Sequence, residues 1–319
     1  MVLENNTQAS KLMLPRTSLK GSIIAATPRK VYSNAHAYHI HSVSANSDGE
    51  TFLSSDDLRI NLWHVEHPNE SYCVVDIKPA TIEELTEVIT CAKFHPSQCN
   101  LLAFSTSKGA VRVADMRDSA IIDGRVSRSL GPGSASDTPS FFSEIVSSIS
   151  DISFCRGNEN LLAARDYMSV KVWDVRSDAR PLHTLPVHEY IKPKLCDLYE
   201  NDSIFDKFGL AFSSDGRFIV TGSYGNRVRV LPVDSDASYL ETLTADKSIL
   251  SRAGGKQHQA MGKKSGMAGA LQLKEMDPEA VDYERKITHM ALHPESNTLA
   301  LAASTNLFMF TTTAKSNQF

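Results

Sequence analysis

The sequence has no apolar run of about 18 residues or more, the length a membrane-crossing helix requires. Its opening stretch, MVLENNTQASKLMLPRTSLK, lacks the apolar core of a secretory signal, so an intracellular protein is the expectation. Cysteine is scarce: Cys73, Cys91, Cys99, Cys155 and Cys196 are odd in number and widely scattered, which excludes a disulfide framework. Cys91, His95 and Cys99 recur at four-residue steps. No fourth ligand accompanies them, and His95-Pro96 opens a turn, so they read as structural rather than as a metal site. Charge of one sign is not in excess. A net charge of −4 argues against a whole-surface nucleic-acid binder, and nothing suggests a membrane partner. Also lacking are a nucleophile elbow, a phosphate-cradling glycine loop and a metal-ligand set. His36, His39 and His41 lie near Asp56 and Asp57 in sequence, and a histidine beside a carboxylate is the raw material of acid–base chemistry. Without a nucleophile or a phosphate cradle the reading is non-enzymatic, with no cofactor. His36 reads as a structural histidine bonding an aspartate in a tight turn such as Asp48.

What is present is a core and a repeat. Apolar residues make up 41% of the 319 positions, enough for one large all-β domain. Five segments share one grammar of short apolar strand, polar turn, second strand, polar tip and third strand. They lie near residues 36–66, 88–117, 149–176, 208–234 and 287–313. Turn cues recur at the same point in the unit as NSDGE, HPSQC, SSDGR and HPESN, and the third copy carries VKVWDVR, with Trp173-Asp174 as its Trp-Asp dipeptide. Four-stranded units of about 40–45 residues repeated radially are a β-propeller. The spacing here is longer, so insertions are expected at 118–148, 188–207 and 243–286. The last is rich in Gly and Lys and reads as flexible.

Propeller geometry then gathers distant residues. If the strands of each blade run from the axis outward, the turn between the second and third lies on the same rim as the connection to the next blade. That rim collects the tips at Asp56-Asp57, 106–109, 165–167 and 223–226. It also collects the inter-blade segments NAHAYHI, KPATIEELTE, FFSEIVSS and HEYIKPKLCDLYENDSIFDKF. Carboxylates predominate on it: Asp57, Glu83, Glu84, Glu87, Glu144, Glu200 and Asp202. Tyr38, Leu85, Phe142, Tyr199 and Phe205 supply apolar surface beside them, and Lys207 sits among the acids, where local pairing is expected.

Several of these stretches are long and unusual. NAHAYHIHSVSANSDGETFLSSDDLRINLWHVE, DIKPATIEELTEVIT, RDYMSVKVWDVR, LYENDSIFDKF and TGSYGNRVRV resemble the B-family, WD-repeat regulatory subunit of protein phosphatase 2A. The resemblance covers residues 12–319 and leaves 1–11 unmatched. It implies a seven-bladed propeller with an acidic substrate groove on its top face. It also implies a non-catalytic subunit that joins a scaffold (A) and a catalytic (C) subunit and selects basic segments of substrates in cytoplasm and nucleus. The family's substrate-contacting positions fall on Tyr38, Asp57, Glu83, Leu85, Tyr199, Glu200, Asp202, Phe205 and Lys207. With the rim residues His39, Glu84 and Glu144 these make up the candidate binding set.

Against the family pattern only about five blades are present, so the expected fold is an incomplete, open propeller. Residues 22–36 would form an outer strand of a preceding blade, and the last copy ends with three strands. The alternative is a closed five-bladed ring, with a strand near Ile23 or Val31 completing the final blade. A WD-repeat interaction scaffold outside the phosphatase system, or a fragment that does not assemble, are the competing functional readings.

Overall fold

The computed structural model describes residues 26–122, 128–131, 141–177, 180–233, 241–245, 277–296 and 298–311. The chain divides into two compact units, Met1–Val31 and Tyr32–Phe319. All the strands lie in the second, as five antiparallel meanders. The first sheet is β1 (Ser42–Ala45), β2 (Thr51–Ser55), β3 (Arg59–His64) and β4 (His67–Asp76). The second is β5 (Ile89–Phe94), β6 (Leu101–Thr106), β7 (Val111–Asp115) and β8 (Arg128–Leu130). The third is β9 (Asp151–Phe154), β10 (Leu161–Arg165), β11 (Ser169–Asp174) and β12 (His183–Pro186). The fourth is β13 (Leu210–Phe212), β14 (Phe218–Gly222), β15 (Arg227–Pro232) and β16 (Glu241–Thr244). The fifth has three strands among the described residues: β17 (Met290–Leu292), β18 (Thr298–Ala303) and β19 (Asn306–Thr311).

The innermost strands β1, β5, β9, β13 and β17 are neighbours in that order. A separate apolar layer fills each gap between consecutive sheets. Leu53, Ile60 and Val75 meet Ile89, Phe94 and Phe104 in the first gap. Leu162, Ile152 and Trp173 close on Val111 and Leu130 in the second. Val170, Val172 and Leu185 face Leu210, Ile219 and Leu231 in the third, and Val220 and Val228 face Leu299, Leu301 and Phe308 in the fourth. Each fully buried Leu, Ile or Phe contributes about 1.5–3 kcal/mol, so the radial stack is held by these layers.

The array is open, and burial shows it. Strand β5, with a sheet on either side, is buried at every position except half-buried Lys93. Strand β1 alternates between half-buried and exposed residues, and β19 projects Leu307 and Met309 at 71% and 60% exposure. The outward face of the first sheet is partly covered by the segment that precedes it. Tyr32 packs edge-on against Phe52 and Trp63, its hydroxyl donates to the Val65 carbonyl at 2.8 Å, and Asn61 Nδ2 donates to the Ala35 carbonyl. Of residues 22–36, expected as an outer strand, 22–25 lie outside the described residues and 26–36 carry no strand; the contacts of this segment with the first sheet come from side chains. Ile23 and most of 243–286 lie outside the described residues. Arg128–Leu130, inside a stretch read as insertion, is the fourth strand of the second sheet.

Two chemistries make the turns between first and second strands. In NSDGE, Asp48 Oδ1 accepts the backbone N–H groups of Glu50 and Thr51, and Oδ2 accepts the Thr51 hydroxyl. In HPSQ and HPES a histidine does the same work: His95 Nδ1 accepts from Ser97 and Gln98, and His293 Nδ1 from Glu295 and Ser296. His95 spends its other ring nitrogen on the Glu159 carbonyl at 2.9 Å, so it is a structural residue. The described residues hold no cluster of His, Cys, Asp and Glu fit for a metal, and no helix long and apolar enough to cross a membrane.

Candidate functional site

The two adjacent carboxylates of the β2–β3 tip have different jobs. Asp56 is 1% exposed. Its Oδ1 accepts the N–H groups of Leu58 and Arg59 at 2.8 and 2.7 Å, closing the turn. Its Oδ2 lies 2.8 Å from His36 Nδ1, His36 Nε2 lies 2.6 Å from Ser54 Oγ, and Trp63 Nε1 donates to the same hydroxyl at 2.8 Å. One proton pattern satisfies every member: indole N–H to Ser54, Ser54 O–H to Nε2, and Nδ1–H to the carboxylate. Burial alone pushes the Asp56 carboxyl up, but the His36 bond and the two backbone donors outweigh it and leave it below its ordinary value. His36 is therefore structural, as expected, but its partner is Asp56 rather than Asp48. Asp48 is not available because its own turn occupies both of its oxygens.

Asp57 points the other way, half-buried, with Oδ1 2.7 Å from His41 Nε2. The β4–β5 connection is tied to this tip at both ends: Ile77 N donates to the Leu58 carbonyl and Ile89 N to the Asp57 carbonyl. Between those ties a 3-10 turn at Ile82–Glu84 holds Glu83 and Glu84 in solvent, with Leu85 half-buried behind them. Tyr38 and His39, both exposed, lie on the segment entering β1.

The next connection carries helix α1 (Phe141–Ser147) with Glu144 exposed. Ile149 N donates to the Thr106 carbonyl and Tyr167 N to the Val146 carbonyl, so α1 is tied to the tips on either side of it. Gly109, at φ +80°, passes so close that a Cβ there would stand 2.8 Å from the Ser147 carbonyl oxygen. The third tip repeats the first: Asp166 accepts from Met168 N and Ser169 N. In this blade Ala164 stands where Ser54 stands in the first, and the buried Trp173 indole N–H has no acceptor among the described residues.

The connection from β12 to β13 holds helix α2 (Leu195–Glu200) and a 3-10 turn at Ser203–Phe205. Asp202 adopts φ 58° between them, a left-handed conformation aspartate tolerates. The chain reverses there, so Tyr199 and Phe205 lie on one side with ring centres 5.9 Å apart. Phe141 and Phe142 join Tyr199 at 5.5 and 6.0 Å. Four rings from two connections thus form one cluster, of which Phe141, Phe205 and Tyr199 are 68%, 53% and 39% exposed. Beneath it the segment is anchored through Tyr224, whose hydroxyl reaches the Ser203 carbonyl at 2.7 Å, Asp206 Oδ2 at 3.0 Å and the Tyr167 hydroxyl at 2.8 Å. His188 bridges the same two tips, from the Tyr167 carbonyl to the Ser223 hydroxyl. Its burial, and the Arg165 guanidinium beside it, hold its pKa well below the usual imidazole value.

Charge on this face is lopsided. Lys192 is bound to Glu189, Lys194 to Glu279 at 2.7 Å, and Lys286 to Asp206. Glu83, Glu84, Glu144, Glu200 and Asp202 have no cationic partner among the described residues. Lys207, expected to pair with nearby acids, has no carboxylate partner among the described residues; Lys286 reaches Asp206 in its place, on the connection between β16 and β17. The candidate set falls into two groups. Tyr38, His39, Asp57, Glu83, Glu84 and Leu85 surround the first tip, and Glu144, Tyr199, Glu200, Asp202, Phe205 and Lys207 surround the ring cluster. No hydrogen bond, ion pair or ring contact joins the groups among the described residues. Two residues of this face lie outside the candidate set: Phe141, whose FFSEIVSS segment is placed on the rim, and His41, weighed only as acid–base material beside Asp57.

The WD domain, G-beta repeat family matches residues 27–64 and 201–230. The chain is 44% identical over 310 residues to the protein phosphatase PP2A 55 kDa regulatory subunit of Drosophila melanogaster, covering 97% of this chain and 60% of the fly protein. It is 43% identical over 318 residues to the protein phosphatase PP2A regulatory B subunit of Schizosaccharomyces pombe, covering 95% of this chain and 68% of the yeast protein. It is 46% identical over 313 residues to the alpha isoform of the 55 kDa regulatory B subunit of Arabidopsis thaliana, covering 94% and 60%. The chain thus spans about three fifths to two thirds of the length of these relatives, and each of them is named a regulatory subunit. At this identity, over nearly its whole length, the chain belongs to the family of 55 kDa regulatory B subunits of protein phosphatase 2A.

Proposed function

We propose that this chain acts as the non-catalytic regulatory subunit of a protein phosphatase 2A holoenzyme in cytoplasm and nucleus. In this reading it joins scaffold and catalytic subunits and presents its acidic, aromatic rim to basic segments of substrate proteins. The observation that carries the reading is the presence of unpartnered carboxylates and exposed rings on one rim, where Lys192, Lys194 and Lys286 are each already paired with an acid. The two kinds of group divide the work. A pair of charges about 4 Å apart is worth about 1 kcal/mol in water and about 4 kcal/mol at the effective dielectric near a protein surface. Exposed pairs net less than that. The carboxylates therefore steer a basic segment in and set its register. Phe141, Tyr199 and Phe205 supply the large apolar contact that sets residence time.

The test is affinity capture from native cells combined with binding kinetics. Scaffold and catalytic subunits should co-purify with the wild-type chain and with an Asp57→Lys, Glu200→Lys variant, while basic substrates are lost from the variant. In kinetics the charge variant should slow association in a salt-dependent way, and Tyr199→Ala with Phe205→Ala should speed dissociation. Capture of neither subunit, or substrate capture indifferent to these residues, refutes the reading.

A further inference from the structure

Two imidazole–carboxylate pairs stand side by side at the β2–β3 tip, and only one is needed to build it. The His36–Asp56 pair is buried, with side chains 8% and 1% exposed. The His41–Asp57 pair, at 20% and 30%, contributes nothing to closing the turn, which Asp56 already closes. Both halves of this second pair are nonetheless fixed. His41 N donates to the Ser55 carbonyl, and the Asp57 carbonyl accepts Ile89 N from the next blade. His41 Nε2 engages only Oδ1; Oδ2 accepts no hydrogen bond among the described residues. The carboxylate is thus held in one orientation with one oxygen committed and the other unspent.

Resting on the functional reading above, we infer that His41 is a positioning residue for recognition of basic side chains. It locks Asp57 so that Oδ2 is already aimed at the incoming ammonium or guanidinium group. An exposed aspartate must otherwise lose rotamer freedom when it binds, and fixing it beforehand removes that cost from association. A charge-assisted hydrogen bond is also directional, so the locked carboxylate discriminates a cationic side chain from a neutral one of similar size.

The test uses the full chain, a fluorescent peptide of lysine, leucine and alanine, and the same peptide with its lysines acetylated. Wild type should prefer the charged peptide. His41→Leu should reduce that preference about tenfold, the scale of one hydrogen bond to a charged group, and leave affinity for the acetylated peptide unchanged. His41→Gln should restore most of the preference, because its side-chain amide N–H reaches where the imidazole donor stood. A general loss of structure would weaken both peptides equally, and that result overturns the inference, with thermal melts of each variant as the folding control. Preference abolished by Asp57→Asn but untouched by His41→Leu overturns the inference alone. Preference surviving both substitutions overturns the reading of Asp57 as well.

Discussion

Tyr224→Phe removes one oxygen from a buried chain of hydroxyls, and the order of donors in that chain predicts what the loss costs. The Tyr224 hydroxyl has a single proton, directed at the Ser203 carbonyl and Asp206 Oδ2. Its contact with Tyr167 must therefore be one in which Tyr167 donates. Both rings are almost completely buried, and burial first of all pushes both phenols above their ordinary values, so both remain protonated donors at any working pH. In Tyr224→Phe the Tyr167 O–H loses its acceptor and the Ser203 carbonyl its side-chain donor. One stranded buried group costs about 1–3 kcal/mol, and the expected loss is about 2–3 kcal/mol. Tyr167→Phe strands no donor; it leaves a vacant lone pair on Tyr224 and should cost about 1 kcal/mol. The double variant should cost no more than Tyr224→Phe alone, since no hydroxyl remains to be orphaned, and the cycle should show coupling of about 1 kcal/mol. Urea unfolding followed by tryptophan fluorescence measures all three. Tyr167→Phe costing as much as Tyr224→Phe, or strict additivity, refutes the donor order. Because Tyr224 anchors the turn that carries Phe205, the same variant should also weaken capture of basic peptides without changing any residue of the ring cluster.

Ala164→Ser should give the orphaned Trp173 indole an acceptor in the place Ser54 occupies for Trp63. A gain of about 1 kcal/mol in urea unfolding is expected, with a change in the Trp173 emission. Gly222→Ala should destabilise by about 3 kcal/mol through overpacking, because its Cβ would lie 1.8 Å from the Ile287 carbonyl oxygen. Gly131→Ala, with open space at its Cβ, is the neutral control in the same thermal melt. The Asp56 carboxyl is depressed below its ordinary 3.8 in the folded chain, so its contribution is present above that value and lost as pH falls through the folded one. Asp56→Asn should therefore cost about 1–2 kcal/mol near neutral pH, with the difference from wild type narrowing in unfolding curves taken below about pH 4.

The propeller was legible because its signals are local. Alternating apolar residues in LRINLW and VKVWDV, and turn residues in NSDGE and SSDGR, each specify a strand or a reversal within a few positions. The fourth strands were harder: Arg128–Leu130 has three residues, too few for a period. The rim was legible as a set of segments, since connection order alone places them. The roles within it were not, because Asp56 and Asp57 are adjacent and identical. What separates them is which histidine each meets, His36 from 20 residues away and His41 from 16. The tight turn of the same blade offered Asp48 as the partner of His36, but that turn consumes the carboxylate itself. Lys207 stands beside Asp206 in the chain, yet Lys286, 80 residues on, makes the bond. Such choices are made by tertiary contacts, which periodicity does not encode.

The rim's construction also sets how its variants should be interpreted. Each tip is bonded through its backbone to an inter-blade connection: Asp57 to Ile89, Thr106 to Ile149, Tyr167 to Val146, and Ser223 to Ile287. A displaced tip therefore carries its connection with it. The side chains it misplaces include ones it never touches: Glu83 and Glu84 for the first tip, Glu144 and Phe141 for the second and third. His36→Ala would accordingly impair peptide capture although His36 is bonded to Asp56 and Ser54 and makes no hydrogen bond to Asp57 among the described residues. Loss of binding in a rim variant is thus diagnostic of contact only where stability is retained and the loss depends on the charge of the ligand. Asp57, with one oxygen held by His41 and the other unspent, is the position where both conditions can be met by one substitution.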